Sequence, residues 1–255
     1  MTDLSEEERQ QNRLPESGML RARSVLKGAD SVVFFTGAGM SADSGVPTFR
    51  GSGGLWRGFR PEDLATPDAF ESSPDLVRSW YQWRRELISN VTPHAGHQAL
   101  AQWCLKSRSE NRVITQNVDG LHQRAGCPDV IELHGSILHD RCHQCCQVSS
   151  DLNQITCGCG GNFRPAVVWF GEALPESEVT RSLELVDSCG AMVVVGTSAV
   201  VYPAAGLVTQ ALQRGVPVIE VNPDPVLPAP VLRLTGSASA VLPRLLAAPT
   251  GEDQQ

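Results

Sequence analysis

The chain contains almost no lysine, since Lys27 and Lys106 are the only lysines among its 21 basic residues. We interpret this bias as compositional. The formal net charge is −7, so the chain has no overall attraction for nucleic acid or for an anionic membrane. No apolar run approaches the roughly 20 residues that a membrane helix needs, and no internal repeat or low-complexity linker is present. The acidic, polar segment 1–18 reads as a flexible tail, unlike a secretory signal or a transit peptide, which predicts a cytoplasmic protein.

Cysteine, by contrast, is abundant, and eight cysteines are many for a reducing compartment unless some of them bind metal. Two close pairs occur, Cys142-x2-Cys145 and, after eleven residues, Cys157-x-Cys159. Four thiolates in this arrangement can close a tetrahedral zinc site. A redox pair is the alternative for the first two, although the second pair nearby favours metal. Cys146 and His143 are spare ligands, which leaves the identity of one ligand open. The other cysteines are expected to be packing residues: Cys104, Cys127 and Cys189.

A run of four apolar residues begins at Val32 and predicts a buried strand. A glycine-rich turn of the form G-x-G-x-x-A follows at 37–42. Glycines there permit a tight turn and let backbone N–H groups approach a phosphate, although many such turns bind nothing. Gly45 and Pro47 should end the next helix within about two turns. A Gly/Arg-rich flap at 51–60 then takes the place of an ordinary crossover.

Apolar strands alternate with helical patterns along the rest of the chain, which predicts a parallel sheet covered by helices on both faces. The predicted strands are 32–35, 112–115, 130–133, 191–195 and 217–221. The predicted helices are 20–29, 74–89, 93–106, 119–125 and 203–214. We expect the 74–89 helix to bury Leu76, Trp80, Trp83 and Leu87, and the 93–106 helix to bury Leu100, Trp103 and Cys104. Polar residues recur just after the strands, at the edge where open α/β sheets bind ligands: Gly37, Gln116, His134, Gly196 and Asn222.

Three motifs carry a family resemblance. Residues 37–51 read GAGxSxxSGxPxFRG, residues 116–122 read QNVDGLH, and residues 132–136 read ELHGS. They resemble the sirtuins, which are NAD-dependent protein lysine deacylases, over about residues 20–247. The resemblance implies a Rossmann-like NAD domain (19–138 and 164–247, with an inserted helical and flap segment at about 51–92), a zinc module (139–163) and a C-terminal tail (248–255).

By the same resemblance, NAD is a co-substrate and His134 is the general base, a role that suits an imidazole because its unperturbed pKa lies near neutrality. Asn117 is implied to be catalytic as well. As alternatives, Asp119 could cap a helix, and the 196–198 turn could be a helix start without ligand. The other histidines are expected to be structural. The implied NAD contacts are Gly37, Ala38, Gly39, Ser41, Ala42, Thr48, Phe49, Arg50, Trp56, Gln116, Asn117, Asp119, Gly196, Thr197, Ser198, Asn222 and Ala238.

The substrate is implied to add as an extra strand beside residues 164–172, with Val168, Trp169 and Phe170 lining a tunnel for the acyl-lysine. The alternative is a core strand that leaves the metal module. Tyr81-x-x-Arg84, preceded by Leu64-Ala65-Thr66-Pro67, resembles family members that remove succinyl and malonyl groups. A guanidinium binds a carboxylate bidentately, and Ala65 would leave room for the acyl chain. The alternative is a structural one, in which Arg84 is solvated and Tyr81 is a packing residue.

The predicted protein is therefore a deacylase that yields nicotinamide, O-acyl-ADP-ribose and free lysine, with one structural zinc per chain. Its expected partners are acylated-lysine proteins or peptides, without nucleic acid or membrane, and it is expected to be a monomer. A mono-ADP-ribosyltransferase and a non-catalytic NAD or acyl-lysine sensor remain as alternatives. A hydride-transferring dehydrogenase fits poorly because the first helix is interrupted.

Overall fold

The computed structural model describes residues 16–48, 61–106, 111–198 and 202–247. The helices are α1 (Glu16–Gly28), α2 (Pro61–Leu64), α3 (Pro67–Ser72), α4 (Pro74–Ser89), α5 (Ala95–Lys106), α6 (Leu121–Arg124), α7 (Glu176–Ser188), α8 (Gly206–Gln213) and α9 (Ala238–Leu245). The strands are β1 (Val32–Thr36), β2 (Arg112–Thr115), β3 (Val130–Glu132), β4 (Gly135–Cys142), β5 (Val148–Ser149), β6 (Phe163–Val167), β7 (Ala191–Val195), β8 (Val218–Asn222) and β9 (Leu232–Thr235). No described helix is long and apolar enough to cross a membrane.

The main sheet has six parallel strands in the order β3-β2-β1-β7-β8-β9. The strand order reverses between β1 and β7, and this reversal opens a crevice at the carboxyl ends of the strands. The predicted parallel sheet is thereby confirmed.

Both faces of this sheet are covered, which explains the uninterrupted apolar runs. Val32 and Phe34 of β1 pack with α1, α5 and α9 on one face. Val33 and Phe35 pack with α7 and α8 on the other. A strand with a helical layer on each side has no polar face to show in its sequence.

A second, three-stranded antiparallel sheet has the order β5-β4-β6 and carries the four paired cysteines. Its strands extend beyond the predicted module of 139–163, from Gly135 to Val167. A third apolar cluster joins α2, α3 and α4 to β4 and β6, and we call it the α4 cluster. Its buried residues are Leu64, Ala65, Phe70, Val77, Trp80, Tyr81, Ile88, Ile137, Val167 and Trp169.

The predicted buried stripe of α4 was wrong in part. Leu76 is 41% exposed, while Val77, Tyr81 and Ile88 are buried with Trp80. The reason is that α4 packs beneath the antiparallel sheet, with Val77 and Tyr81 facing Ile137 and Trp169. Trp83 and Leu87 lie at the margin of the same cluster and are half-buried.

The starts of four predicted helices needed correction, whereas the predicted inward face of α5 is confirmed because Trp103 and Cys104 pack against the core. Helix α1 begins at Glu16 rather than at 20, and α6 begins at Leu121 rather than at 119. Helix α5 begins at Ala95 rather than at 93, because the His94 side chain accepts a hydrogen bond from Gly96 N at 2.9 Å in the manner of a cap. Its buried residues include His97, Leu100 and Ala101, whereas Trp103 and Cys104 are half-buried. Helix α8 begins only at Gly206 because residues 202–205 form a turn.

Candidate functional site

Three loops that follow β1, β2 and β7 meet at the switch point of the main sheet. Gly39 N donates to Gly196 O at 2.8 Å, and Gln116 Nε2 donates to Thr197 Oγ1 at 3.0 Å. Asn222, at the end of β8, donates from Nδ2 to Thr197 O at 3.1 Å. The polar residues predicted to share one sheet edge are therefore held together there.

The glycines of the first turn are required by this loop contact. A Cβ on Gly39 would lie 2.7 Å from Gly196 Cα, and a Cβ on Gly37 would lie 2.7 Å from Thr197 Cβ. Gly196 itself has φ +58°, and a Cβ there would lie 2.4 Å from the carbonyl carbon of Gly39. No α-helix follows this turn within the described range 37–48, where two 3-10 turns, Ala38–Met40 and Ala42–Ser44, occupy its place.

Ser41, Asn117 and Asp119 form one buried hydrogen-bonded cluster below the turn. Ser41 Oγ donates to Asp119 Oδ2 at 2.7 Å, and Asn117 Nδ2 donates to Gly37 O at 3.0 Å and to Ser41 Oγ at 3.1 Å. Asp119 Oδ1 accepts from Leu121 N at 2.9 Å, so the carboxylate also binds the first backbone N–H of α6, although the N-cap residue of this helix is Gly120 rather than Asp119. Burial raises the pKa of Asp119, although these hydrogen bonds oppose the shift.

The remaining residues predicted to contact NAD lie around the same loops, with three exceptions. Ala38, Ala42, Thr48 and Ser198 are half-buried or exposed on the turns. Ala238 begins α9, and the neighbouring Ser239 donates from Oγ to Asp43 Oδ2, which ties α9 to the second 3-10 turn. Phe49, Arg50, Trp56 and the 51–60 flap lie outside the described residues.

His134 stands two residues after the end of β3 and immediately before β4. Its Nδ1 lies 2.9 Å from Gln116 O. A carbonyl can only accept, so Nδ1 carries the hydrogen and the neutral ring keeps its lone pair on Nε2. Burial lowers the pKa of His134, and the hydrogen bond to Gln116 opposes this shift. The imidazole is therefore neutral at pH 7 and able to take up a proton at Nε2.

The backbone at His134 and Gly135 is held closely against the strand β6 and the residue after it. Gly135 has φ +72°, and a Cβ there would lie 2.1 Å from Ala166 O. The carbonyl of His134 accepts from Val168 N at 2.8 Å. The ring thus sits at the junction of the two sheets.

Three other histidines, His94, His97 and His122, pack against one another behind the turn with tilted or edge-on rings. The ring centroids of His94 and His97 are 4.2 Å apart, and those of His97 and His122 are 5.2 Å apart. His122 Nε2 lies 2.9 Å from Thr36 Oγ1, and His94 Nε2 lies 2.7 Å from Met40 O. Neither ring nitrogen of His97 has a hydrogen-bond partner within the described part of the chain.

This histidine group predicts that the stability of the fold decreases at acidic pH. Burial lowers the pKa of His122 to about 4 and that of His97 to about 2. In the unfolded chain these imidazoles take up protons near pH 6.5, whereas in the folded protein they stay neutral to a lower pH. Their contribution to folding stability is therefore fully present above pH 6.5. Below that pH the free energy of unfolding falls by up to about 1.4 kcal/mol per pH unit for each group. The free energy of unfolding, measured with urea between pH 7 and 4.5, should fall with this slope. In His97→Leu the slope should be smaller by the share of one titrating group, up to about 1.4 kcal/mol per pH unit. The control His139→Gln, at an exposed histidine, should keep the slope of the wild type; an unchanged slope in His97→Leu would contradict the assignment.

Tyr81 and Arg84 lie on the inner side of α4, and their surroundings differ. Tyr81 is buried in the α4 cluster, and its hydroxyl accepts from Trp169 Nε1 at 2.8 Å. Arg84 is half-buried, with its Cζ 5.8 Å from the ring centroid of Tyr81, and it lines a small cavity with Val46, Pro47, Trp83, Leu87 and Ile88. Burial lowers the pKa of Arg84 to about 10, so the guanidinium stays charged at pH 7, and burial raises the pKa of Tyr81 to about 12.

The sequence motif at 64–67 shapes the start of α3, the helix that precedes α4. Thr66 Oγ1 accepts from Ala69 N at 3.1 Å, and Pro67 occupies the first position of α3, a regular helix start. Ala65 is buried in the α4 cluster, and its carbonyl accepts from Phe170 N at 2.9 Å. Of the predicted tunnel residues, Trp169 is buried, Val168 is half-buried and Phe170 is 45% exposed.

The four predicted metal ligands come together in one group. The Sγ atoms of Cys142, Cys145, Cys157 and Cys159 all lie within 4.8 Å of one another. The Cys142–Cys159 and Cys145–Cys157 pairs are 3.5 and 3.6 Å apart. Tetrahedral Zn–S bonds of about 2.3 Å place the sulfurs about 3.8 Å apart, whereas a disulfide needs about 2 Å. The cluster therefore fits a structural zinc ion.

Local structure supports this geometry. A hydrogen bond from the backbone of Cys145 lowers the pKa of Cys142 to about 6, which favours the thiolate that zinc requires. The pKa values of Cys145 and Cys159 are instead raised, because hydrogen bonds from the backbone of Gln147 and Gly161, which lower them, are outweighed by hydrogen bonds among the thiols. A Cβ at Gly161 would lie 2.8 Å from Cys142 Sγ. The spare ligands lie elsewhere: Cys146 is exposed and outside this group, and His143 Nε2 lies 3.4 Å from Glu71 Oε1.

Metal analysis of protein purified without chelator should give close to one equivalent of zinc per chain. Cys145→Ser should lose the metal and melt at a lower temperature, because zinc binding contributes directly to the folding of such modules. Cys146→Ser, one residue away, is the matched control and should retain both zinc and stability. A metal-free wild-type protein would contradict the prediction.

A doubly wound parallel sheet with a polar loop cluster at its switch point, together with a four-cysteine module, defines an α/β nucleotide-binding protein with an attached metal module. A family model described as the Sir2 family matches residues 37–203. The NAD-dependent protein deacylase 2 of Pyrobaculum aerophilum is 47% identical over 236 residues, which cover 89% of this chain and 94% of that protein. The chain belongs to the Sir2 family.

Solved structures of the family agree with the fold. A Sir2 homologue in complex with NAD superposes with a TM-score of 0.82 at 41% identity, over 91% of this chain and 93% of that one. A Sir2 enzyme bound to a myristoylated histone peptide gives a TM-score of 0.72 at 33% identity, over 91% and 95% of the two chains.

Sequence reasoning missed several residues that build the site. Thr36 and Thr115 end β1 and β2, and their hydroxyls are 2.8 Å apart, with Thr115 Oγ1 accepting from Asn117 N at 3.0 Å. A hydroxyl that ends an apolar strand was the available signal. Arg164 and Glu172 were also missed, although a charge within an apolar strand needs a buried partner.

Proposed function

We propose that this chain is an NAD-dependent protein lysine deacylase that prefers acyl groups ending in a carboxylate, such as succinyl and malonyl, over acetyl. Family membership and the names of its relatives support the deacylase activity. The preference is supported by one observation above all, the charged Arg84 held beside Tyr81 at the edge of the apolar α4 cluster. The protein is proposed to be a cytoplasmic monomer that acts on acylated proteins, without nucleic acid or membrane.

On the cofactor side, the loop cluster around Gly37, Ser41, Asn117 and Thr197 is proposed to bind NAD. The other members of this site are those implied by the family motifs, including Asp119, Ser198, Asn222 and Ala238. NAD, as a co-substrate, supplies a ribose carbon that accepts the acyl oxygen as nicotinamide leaves. The buried network of Asn117, Ser41 and Asp119 holds the loops in place, so little reorganisation is needed when the co-substrate binds.

His134 is proposed to act as general base. Its Nε2 carries the lone pair because Nδ1 donates to the Gln116 carbonyl. The lowered pKa keeps the ring neutral at physiological pH, ready to take a proton from a ribose hydroxyl. Water then releases the lysine, so that the acyl-lysine, NAD and one water give nicotinamide, O-acyl-ADP-ribose and free lysine.

On the acyl side, Arg84 is proposed to pair with the distal carboxylate of the substrate. A partly desolvated guanidinium binds a carboxylate more strongly than one in water. The hydroxyl of Tyr81 accepts from Trp169, so its own hydrogen can be donated to the same carboxylate. Ala65, Val168, Trp169 and Phe170 are proposed to line the channel for the lysine stem.

Mass spectrometry of paired peptides tests the proposal. Succinyl-lysine and acetyl-lysine peptides of the same sequence are incubated with and without NAD. NAD-dependent loss of succinyl well ahead of acetyl is expected. Loss of acetyl alone would keep the deacylase and overturn the acidic preference. Loss of neither, with labelled NAD leaving a covalent mark on a protein acceptor, would favour an ADP-ribosyltransferase instead.

A further inference from the structure

A partly buried group of charges, in which only Arg164 is fully buried, lies beside the proposed acyl channel. Arg164 of β6 is 2% exposed and pairs through Nη2 with Glu172 Oε1. Arg141, opposite it on β4, donates from Nη2 to the same oxygen at 2.9 Å. Two guanidinium groups thus converge on one carboxylate.

This carboxylate also fixes the backbone of the channel wall. Its Oε2 accepts from Trp169 N at 2.8 Å, and Glu172 N donates to Trp169 O at 3.0 Å. The neighbouring N–H groups are taken as well, because Val168 N donates to His134 O and Phe170 N donates to Ala65 O. The backbone N–H groups of Val168, Trp169 and Phe170 are therefore all hydrogen-bonded, which holds this side of the proposed channel in place.

The indole of Trp169 is held by the same group of charges. The Cζ of Arg164 lies 3.8 Å from the centroid of the Trp169 ring. At its other side the indole Nε1 donates to Tyr81 Oη at 2.8 Å. Phe70 packs against the ring with a centroid distance of 5.5 Å. The position of the Tyr81 hydroxyl hence depends, through Trp169, on Arg164 and Glu172.

We propose that Glu172 is a positioning residue that, together with Arg164 and through Trp169, sets the orientation of the Tyr81 hydroxyl and thereby the selectivity for acidic acyl groups. This inference rests on the proposed function for the acidic preference itself. A carboxylate is required because it accepts from Trp169 N and from two guanidinium groups at once. A glutamine would turn its NH2 group toward either the guanidinium groups or the backbone N–H.

The experiment measures kcat/KM for paired succinyl and acetyl peptides in Glu172→Gln. We expect the succinyl-to-acetyl ratio to fall about tenfold, the effect of one misplaced hydrogen bond to a charged group. A loss of folded enzyme scales both activities equally and leaves this ratio unchanged. Glu176→Gln, at an exposed glutamate of α7, is the matched control and should keep the ratio of the wild type.

Trp169→Phe, which removes the indole N–H and keeps the ion pairs, completes a double-mutant cycle. It should lower the ratio by itself, and adding Glu172→Gln should lower it no further, because the two act along one path. If Glu172→Gln does not fold, Arg141→Gln removes only one partner of Glu172 and should give a smaller fall in the ratio.

Two outcomes would overturn the inference. The first is a folded Glu172→Gln enzyme with an unchanged succinyl-to-acetyl ratio, whether or not both activities fall together, because Glu172 would then have a structural role alone. The second is an additive effect of the two substitutions, since Glu172 would then not act through Trp169. A wild-type enzyme without acidic preference would instead remove the proposed function, and this inference with it.

Discussion

Replacing His134 with alanine should lower kcat by about 10²- to 10⁴-fold, the usual contribution of a positioned general base. The substitution removes the Nε2 lone pair that the Gln116 hydrogen bond leaves available. NAD binding, measured by calorimetry, should change little because the loop cluster around Gly37 and Thr197 remains intact. His139→Ala, at an exposed histidine of β4, is the control and should keep full turnover. A variant that retains more than a tenth of the wild-type kcat would exclude His134 as the base.

The pH profile offers a second readout for the same group. A general base must be neutral, so activity is complete above its pKa and lost as the pH falls through it. Because burial lowers the pKa of His134, the acid limb of kcat/KM should have its midpoint below 6.5. A midpoint above 6.5 would assign that limb to another group. In His134→Ala the residual activity should no longer follow this limb.

Arg84→Met should reduce desuccinylation by about 10- to 100-fold and leave deacetylation within about threefold, because a charged hydrogen-bonded pair is worth roughly 1.5–3 kcal/mol. Methionine retains much of the length of the apolar stem and removes the guanidinium, which lies near the rings of Trp80 and Tyr81. Succinyl, malonyl and acetyl peptides of one sequence provide the measurement. Only the acyl groups with a carboxylate should be affected.

Two companion variants make this test sharper. Arg84→Lys keeps the charge and loses the planar guanidinium, so its desuccinylation activity should lie between those of the wild type and Arg84→Met. Tyr81→Phe keeps the ring and loses the hydroxyl, and it should weaken desuccinylation less than Arg84→Met does. Melting temperatures separate these effects from unfolding. Equal losses of desuccinylation and deacetylation in Arg84→Met would show that Arg84 does not recognise the carboxylate.

The parallel sheet and the place of the site were readable from the sequence because both follow from local patterns. The unbroken apolar run at β1 requires a helical layer on each face, and the structure has one there. Polar residues directly after strands must meet at one edge when the strands are parallel, as Gln116 and Thr197 do. The cysteine spacing likewise predicted a group that is fully local to one small sheet.

What the sequence left open depends on tertiary contacts. The buried stripe of α4 was displaced because two neighbouring stripes, one with Leu76 and one with Val77, are both apolar enough to be buried. Only the partner surface decides between them. The glycines of the first turn were explained by phosphate approach, while the structure adds the contact with Gly196. Glu172 joins Arg141 across 31 positions, which no local pattern indicates.

The α4 cluster is separate from the two clusters that cover the main sheet. The residues proposed to recognise the acyl group therefore lie on one apolar core, and the loops proposed to bind NAD lie on others. Substitutions at Ala65 or Tyr81, which lie inside the α4 cluster, should reshape the proposed channel with little effect on the sheet edge, whereas Arg84 also borders Val46 and Pro47 of the first loop. Such a division makes the acyl range an evolvable and engineerable property of the scaffold: a library confined to α2–α4 should yield new acyl specificities that share one unchanged affinity for NAD.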